Sequence, residues 1–128
     1  MNSAVVGLGS NIHPCRYIAQ ALDILSKHHR LIRISGFVQT TPTGFAEQPD
    51  FINGVCMVKT TYSVDAFREY LKDVEKHLGR KRTANKNGPR TIDLDIVMWN
   101  GEIIGDDYYN RDFVRNAVAE LLSASPEA

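Results

Sequence analysis

Thr91-Ile92-Asp93-Leu94-Asp95-Ile96-Val97-Met98 alternates apolar and acidic side chains through its first half. A period of two is the period of a strand, so Ile92, Leu94, Ile96 and Met98 are expected in the core, with Asp93 and Asp95 on the opposite face. Aspartate is disfavoured in strands. Two of them, roughly 7 Å apart along one face, repel unless a cation lies between or above them. A hard divalent ion with oxygen ligands suits them best, magnesium first.

The segment before this strand carries the opposite charge. Arg80 to Pro89 has no apolar member except Ala84 and holds Arg80, Lys81, Arg82 and Lys86, and Gly88-Pro89-Arg90 joins it to the strand. It reads as a basic loop. Guanidinium forks bind phosphate oxygens bidentately while carboxylates hold a bridging metal, so clustered bases beside paired acids suit a metal-bound polyphosphate. Alternation alone is equally compatible with a solvated strand face, and a charge run with an ordinary surface.

Further out, the pattern continues in both directions. Ser63 is an N-cap, Val64, Phe67, Leu71, Val74 and Leu78 form an apolar stripe, and Gly79 ends the helix. Phe51 to Thr61 is strand-like, with Gly54 as a candidate bulge. Leu31 to Val38 alternates as another strand, and Thr41-Pro42-Thr43-Gly44 with Pro49 makes a loop. Ala4 to Leu8 is a buried strand ending in Gly9-Ser10-Asn11, and a helix beginning near Pro14 follows through Ile18, Leu22 and Leu25. After the acid strand, Asn100-Gly101 is a turn, Glu102-Ile103-Ile104 a short hairpin strand, and Phe113 to Leu122 a closing helix. This order predicts an α+β fold of the ferredoxin-like βαββαβ type, an antiparallel sheet with helices on one face, plus a short C-terminal helix.

A length of 128 residues with 43% hydrophobic side chains suits one domain, residues 1–128. Fifteen basic and fifteen acidic residues cancel, so no net field draws the chain to nucleic acid or to a membrane surface. Cys15 and Cys56 match no metal or redox spacing and are expected as free thiols in a reducing compartment. The apolar run at the N-terminus is too short for a signal peptide or a span. The expectation is a cytoplasmic monomer acting on small molecules.

Taken together, Gly9-Ser10-Asn11, Gln48-Pro49-Asp50-Phe51-Ile52-Asn53, Glu75 with Gly79-Arg80, and Gly88-Pro89-Arg90-Thr91-Ile92-Asp93-Leu94-Asp95-Ile96 resemble the 6-hydroxymethyl-7,8-dihydropterin pyrophosphokinases of folate synthesis, in order and spacing. The resemblance implies that ATP and the hydroxymethyl dihydropterin give AMP and the pterin diphosphate, with two magnesium ions bridging the triphosphate. It implies Asp93 and Asp95 as metal ligands and catalytic groups, and Arg80, Arg82, Arg90 and Arg111 as triphosphate contacts, the first three of them catalytic. Glu75, Ile96 and Tyr109 fall on the nucleotide side. Thr41, Pro42 and Gly44 supply a pterin loop, Asn53 reads the pterin edge, and Phe51 and Phe113 sandwich its ring.

The chain departs from that pattern in two places. Asn87 stands where many members carry an aromatic residue, and Gly105-Asp106-Asp107-Tyr108-Tyr109 replaces a longer segment whose histidine meets the phosphates. Tyr108 or Tyr109 is the expected substitute donor. Two other readings stay open on the residues alone. One is a diverged homologue that binds nucleotide or pterin without turnover, and the other is an interaction module whose charges form surface salt bridges.

Overall fold

The computed structural model describes residues 1–41, 47–79 and 91–123. Its elements run β1 (Asn2–Ser10), α1 (Pro14–His28), β2 (Arg30–Ile34), β3 (Val38–Thr40), β4 (Phe51–Thr60), α2 (Val64–His77), β5 (Asp93–Trp99), β6 (Glu102–Ile103), α3 (Asp107–Asn110) and α4 (Asp112–Ser123). Six strands form one antiparallel sheet in the order β2, β4, β1, β5, β6, with β3 also paired to β4. The ferredoxin-like pattern is realised with its second strand broken in two.

That break falls inside the strand expected from Leu31 to Val38, and it has a chemical cause. The Ser35 hydroxyl accepts the Val55 N–H at 2.9 Å, and the Gly36 N–H turns away to the Glu120 carboxylate at 2.7 Å. Phe37 then lies over Gly54, where a Cβ would stand 2.7 Å from its ring. Gly54 is therefore a point of close approach, and the β1–β4 register runs through it without a bulge.

The β1, β4 and β5 strands bury apolar side chains on both faces. Ala4, Val6, Leu8, Cys56, Val58, Leu94 and Ile96 meet Ile18, Ala21 and Leu25 of α1 and Phe67, Leu71 and Val74 of α2. Val5, Val55 and Val97 meet Val114, Ala117, Val118 and Leu121 of α4. The closing helix thus covers the face opposite α1 and α2, which makes three layers. Such two-sided burial is the physical sense of the unbroken run Ala4-Val5-Val6.

A bulge in β5 separates the two halves of that strand. Val6 pairs with Ile96 and Val5 with Met98, which leaves Val97 as the extra residue. Side-chain parity inverts there. Met98 consequently packs beside Val97 on the α4 side, not with Leu94 and Ile96 as expected, and Trp99 reaches the α1/α2 side.

Helix α2 follows its sequence signals closely. Ser63 Oγ accepts the Ala66 N–H at 3.2 Å, and Gly79 leaves the helix at φ 87°. The cysteines are free, and burial pushes the Cys56 thiol up to about 12. Among the described residues no helix is long and apolar enough to cross a membrane.

At the end of the sheet remote from Gly9, His29 sits among the rings of Tyr62, Phe67 and Tyr70, at centroid distances of 4.8, 5.2 and 4.5 Å. Its buried Nε2 has no hydrogen-bond partner. Burial, and secondarily the neighbouring His28, hold its pKa below the usual 6.5. The unfolded chain therefore takes up this proton more readily than the folded one. The stabilisation is in place above pH 6.5 and is lost as the pH falls from there toward the lowered folded value. Thermal melts across this range should show a falling midpoint for the native chain and a flatter profile for His29→Phe; parallel profiles would exclude the assignment.

Candidate active site

The site begins with two glycines in β1. On the α4 side of the sheet, Val5 is followed by Gly7 and Gly9, so the strand that buries valine under α4 goes on to bury nothing. Gly7 lies between Val55 and Asp95, and Gly9 between Asn53 and Asp93. A Cβ on Gly9 would stand 2.5 Å from Asn53 Oδ1, and one on Gly7 would stand 3.3 Å from Val97 Cγ2. The missing side chains are what leave a hollow here. Thr40, Thr41, Phe51, Asn53, Asp93, Asp95, Asp107, Arg111 and Phe113 stand around it.

Residues far apart in sequence are thereby gathered as expected. Phe51 enters from the start of β4 and Phe113 from the start of α4. Asn53 donates to Thr40 Oγ1 at 2.6 Å, and with one N–H spent there its amide retains a donor and an acceptor. Asn11 explains why two separate motifs occur together: its buried amide donates to Gln48 Oε1 at 2.8 Å and to the Pro49 carbonyl at 3.0 Å. This ties the end of β1 to the entrance of β4.

Asp93 and Asp95 also line a second hollow, on the outer edge of β5. Its other walls are Arg68, Leu71, Lys72 and Glu75 of α2 together with Ile96, Ile104, Gly105, Asp106 and Asp107. The aspartates form the ridge between the two. Because β6 pairs only with Met98 and Trp99, this stretch of β5 has no strand beyond it among the described residues. Glu75, 5% exposed, accepts the Leu94 N–H at 2.7 Å instead. A buried carboxylate on α2 thus holds the backbone link between the two acids, satisfying a polar group on the edge of the strand.

Arg111 lies at the C-terminal end of α3, with Nε 3.5 Å from Asp107 Oδ1 and its guanidinium 6.0 Å from the centre of the Phe113 ring. Tyr109 is 65% exposed and lines neither hollow, while Tyr108 packs toward the α4 core. Pro42, Gly44, Arg80, Arg82, Asn87 and Arg90 lie outside the described residues.

Asp107, Arg68 and Lys72 stand on the walls of these hollows in addition to the residues that motif and resemblance indicate. The last two were detectable, because Arg68, Lys72 and Glu75 share one helical face beside the apolar stripe. Asp107 falls four residues before Arg111, a helical spacing hidden by the brevity of α3.

Among the described residues no group of three or more His, Cys, Asp or Glu is arranged to hold a metal. The donor set is two carboxylates on one face. That suits magnesium, which keeps water and takes the rest of its octahedron from substrate phosphates, better than a metal needing an all-protein cage.

The family model described as 7,8-dihydro-6-hydroxymethylpterin-pyrophosphokinase matches residues 5–123. A Haemophilus influenzae protein named 2-amino-4-hydroxy-6-hydroxymethyldihydropteridine pyrophosphokinase is 33% identical over 96% of this chain and 83% of its own length. A Bacillus subtilis protein of the same name is 34% identical over 94% of this chain and 78% of its own. The matched span runs from β1 through α4 and takes in every wall of both hollows, and by that measure this chain is a member of the 7,8-dihydro-6-hydroxymethylpterin-pyrophosphokinase family.

Proposed function

We propose that this chain, as a single pyrophosphokinase domain, transfers pyrophosphate from ATP to 6-hydroxymethyl-7,8-dihydropterin, giving AMP and the pterin diphosphate. The observation that carries the reading is the aspartate ridge, with an aromatic and amide-bearing hollow on one side and a hollow bearing Arg68 and Lys72 on the other. A flat heterocycle suits the first, where Phe51 and Phe113 offer ring faces and Asn53 an amide edge. The nucleotide suits the second, beside Glu75 and Ile96, with its triphosphate crossing the aspartate ridge to reach Arg111 on the wall of the first.

In this arrangement the pterin hydroxyl attacks the β-phosphorus, a new oxygen–phosphorus bond forms, and the bond from the β-phosphorus to the oxygen bridging it to the α-phosphate breaks. AMP leaves with that bridging oxygen, and the hydroxyl proton passes to solvent. Asp93 and Asp95 would hold magnesium, two ions in our reading, which when bound supplies charge neutralisation for the triphosphate. Asp93 also orients the attacking hydroxyl. Arg111 meets the triphosphate from α3, joined in this proposal by Arg80, Arg82 and Arg90, with Thr41, Pro42 and Gly44 beside the pterin. Holding the hydroxyl in line with the β-phosphorus favours its attack over that of water. We place this activity in a cytoplasmic monomer.

The test is AMP formation from ATP and magnesium, with and without the hydroxymethyl dihydropterin. AMP and pterin diphosphate should appear in equal amounts only when both substrates and magnesium are present. No AMP at high enzyme concentration removes the reading. If magnesium-dependent binding of a non-hydrolysable ATP analogue nevertheless persists, the chain is a binder without turnover.

A further inference from the structure

The replacement segment between β6 and α4 contains a clamp. Helix α3 is a single turn, too short to be stable by itself. Its last carbonyls have no partner inside the helix. Arg115, one turn into α4, supplies one: its Nη1 donates to the Tyr108 carbonyl at 2.9 Å and to the Tyr109 carbonyl at 2.6 Å, while Nη2 pairs with Asp112. Arg115 N–H also returns to the Arg111 carbonyl at 3.4 Å. Tyr108 anchors the same turn by packing against the apolar cluster that α4 forms with the sheet.

These bonds fix which way the turn faces. With the carbonyls of Tyr108 and Tyr109 held against α4, Asp107 and Arg111, four residues apart, stand together at the first hollow beside Asp93 and Asp95. We propose that Arg115 is a positioning residue for the pyrophosphoryl transfer: it touches no substrate, and it sets Arg111 against the triphosphate by capping α3. The inference rests on the function proposed above, and in particular on Arg111 meeting the nucleotide. It also accounts for how a short segment presents a phosphate-binding cation here. A one-turn helix of four residues with Arg111 as its C-cap, held from the next helix, needs no long loop.

A double-mutant cycle tests it, with two readouts: the KM for ATP in the AMP assay, and calorimetric affinity for a non-hydrolysable ATP analogue with magnesium. Arg115→Gln should weaken both about tenfold and leave the KM for the pterin unchanged. In an Arg111→Ala background the same change should cost nothing further, because the group it positions is gone. Arg115→Lys, which retains one donor for these carbonyls, should recover part of the loss; it also carries the cycle should Arg115→Gln melt below the assay temperature.

Equal losses in both backgrounds would mean that Arg115 acts on the fold at large and would overturn the proposal. So would an analogue affinity indifferent to Arg111→Ala. If the native chain makes no AMP but the affinity cycle still shows coupling, the catalytic reading fails and the positioning role stands.

Discussion

Replacing Asp93 and Asp95 together by alanine should abolish magnesium-dependent binding of an ATP analogue and lower the rate of AMP formation by on the order of 10³-fold or more, the scale on which preorganised charge stabilisation operates. Both side chains face the hollows while Leu94 and Ile96 between and beyond them are buried. The core is therefore untouched, and the variant should melt within a few degrees of the native protein. Asparagine at both positions should fare little better, because the amide keeps the shape and loses the charge that a divalent ion requires. Calorimetry with and without magnesium decides the matter. An affinity for the analogue that survives in the double variant, still sensitive to magnesium, would move the metal elsewhere and sink the site as drawn.

The second large effect comes from adding one methyl group. Gly9→Ala places a carbon 2.5 Å from Asn53 Oδ1, well inside contact distance. The obstacle is the tip of a short side chain, so the amide swings aside while the strand stays put. Register between β1 and β4 is unaffected by such a movement. The loss should fall on the pterin: KM for that substrate should rise about 10- to 100-fold, as for a misplaced positioning group, with analogue affinity retained. At Gly7 the approach to Val97 is 3.3 Å, and alanine there should cost much less. Equal tolerance at the two positions would show that Asn53 does not read the substrate.

Much of this was legible in the chain because it depended on near neighbours. Strict alternation from Ile92 to Ile96 aimed the acids, the Ser63 hydroxyl and the stripe from Val64 to Leu78 defined α2, and Asn100-Gly101 turned β5 into β6 with φ of 51° and 85°. What escaped depended on partners distant in sequence. The break between β2 and β3 needs Val55 and Glu120, twenty and eighty-four positions away along the chain. Likewise, the face chosen by α4 follows from Val5 and Val55, which no periodicity within α4 records.

The site divides along the same line. Asp93, Asp95, Asn53, Phe51, Phe113 and Arg111 were identifiable from motif and resemblance, and they line one hollow. The reason that hollow exists, two glycines facing away from α1 and α2, emerges only from strand pairing. Arg115 was invisible for a similar reason. Its fork reaches back to carbonyls six and seven residues earlier, across a corner between two helices.

The extra residue at Val97 gives β5 two independent aiming instructions. Run through the same residues without that bulge, one alternation would turn Trp99 from the α1/α2 side to the side that Asp93 and Asp95 face. Loss of Val97 alone would leave Asp93, Asp95 and Met98 alternating regularly with Leu94, Ile96 and Trp99 and would disturb neither end of the strand, whereas a residue lost between Asp93 and Asp95 would set the two acids on opposite faces of the sheet.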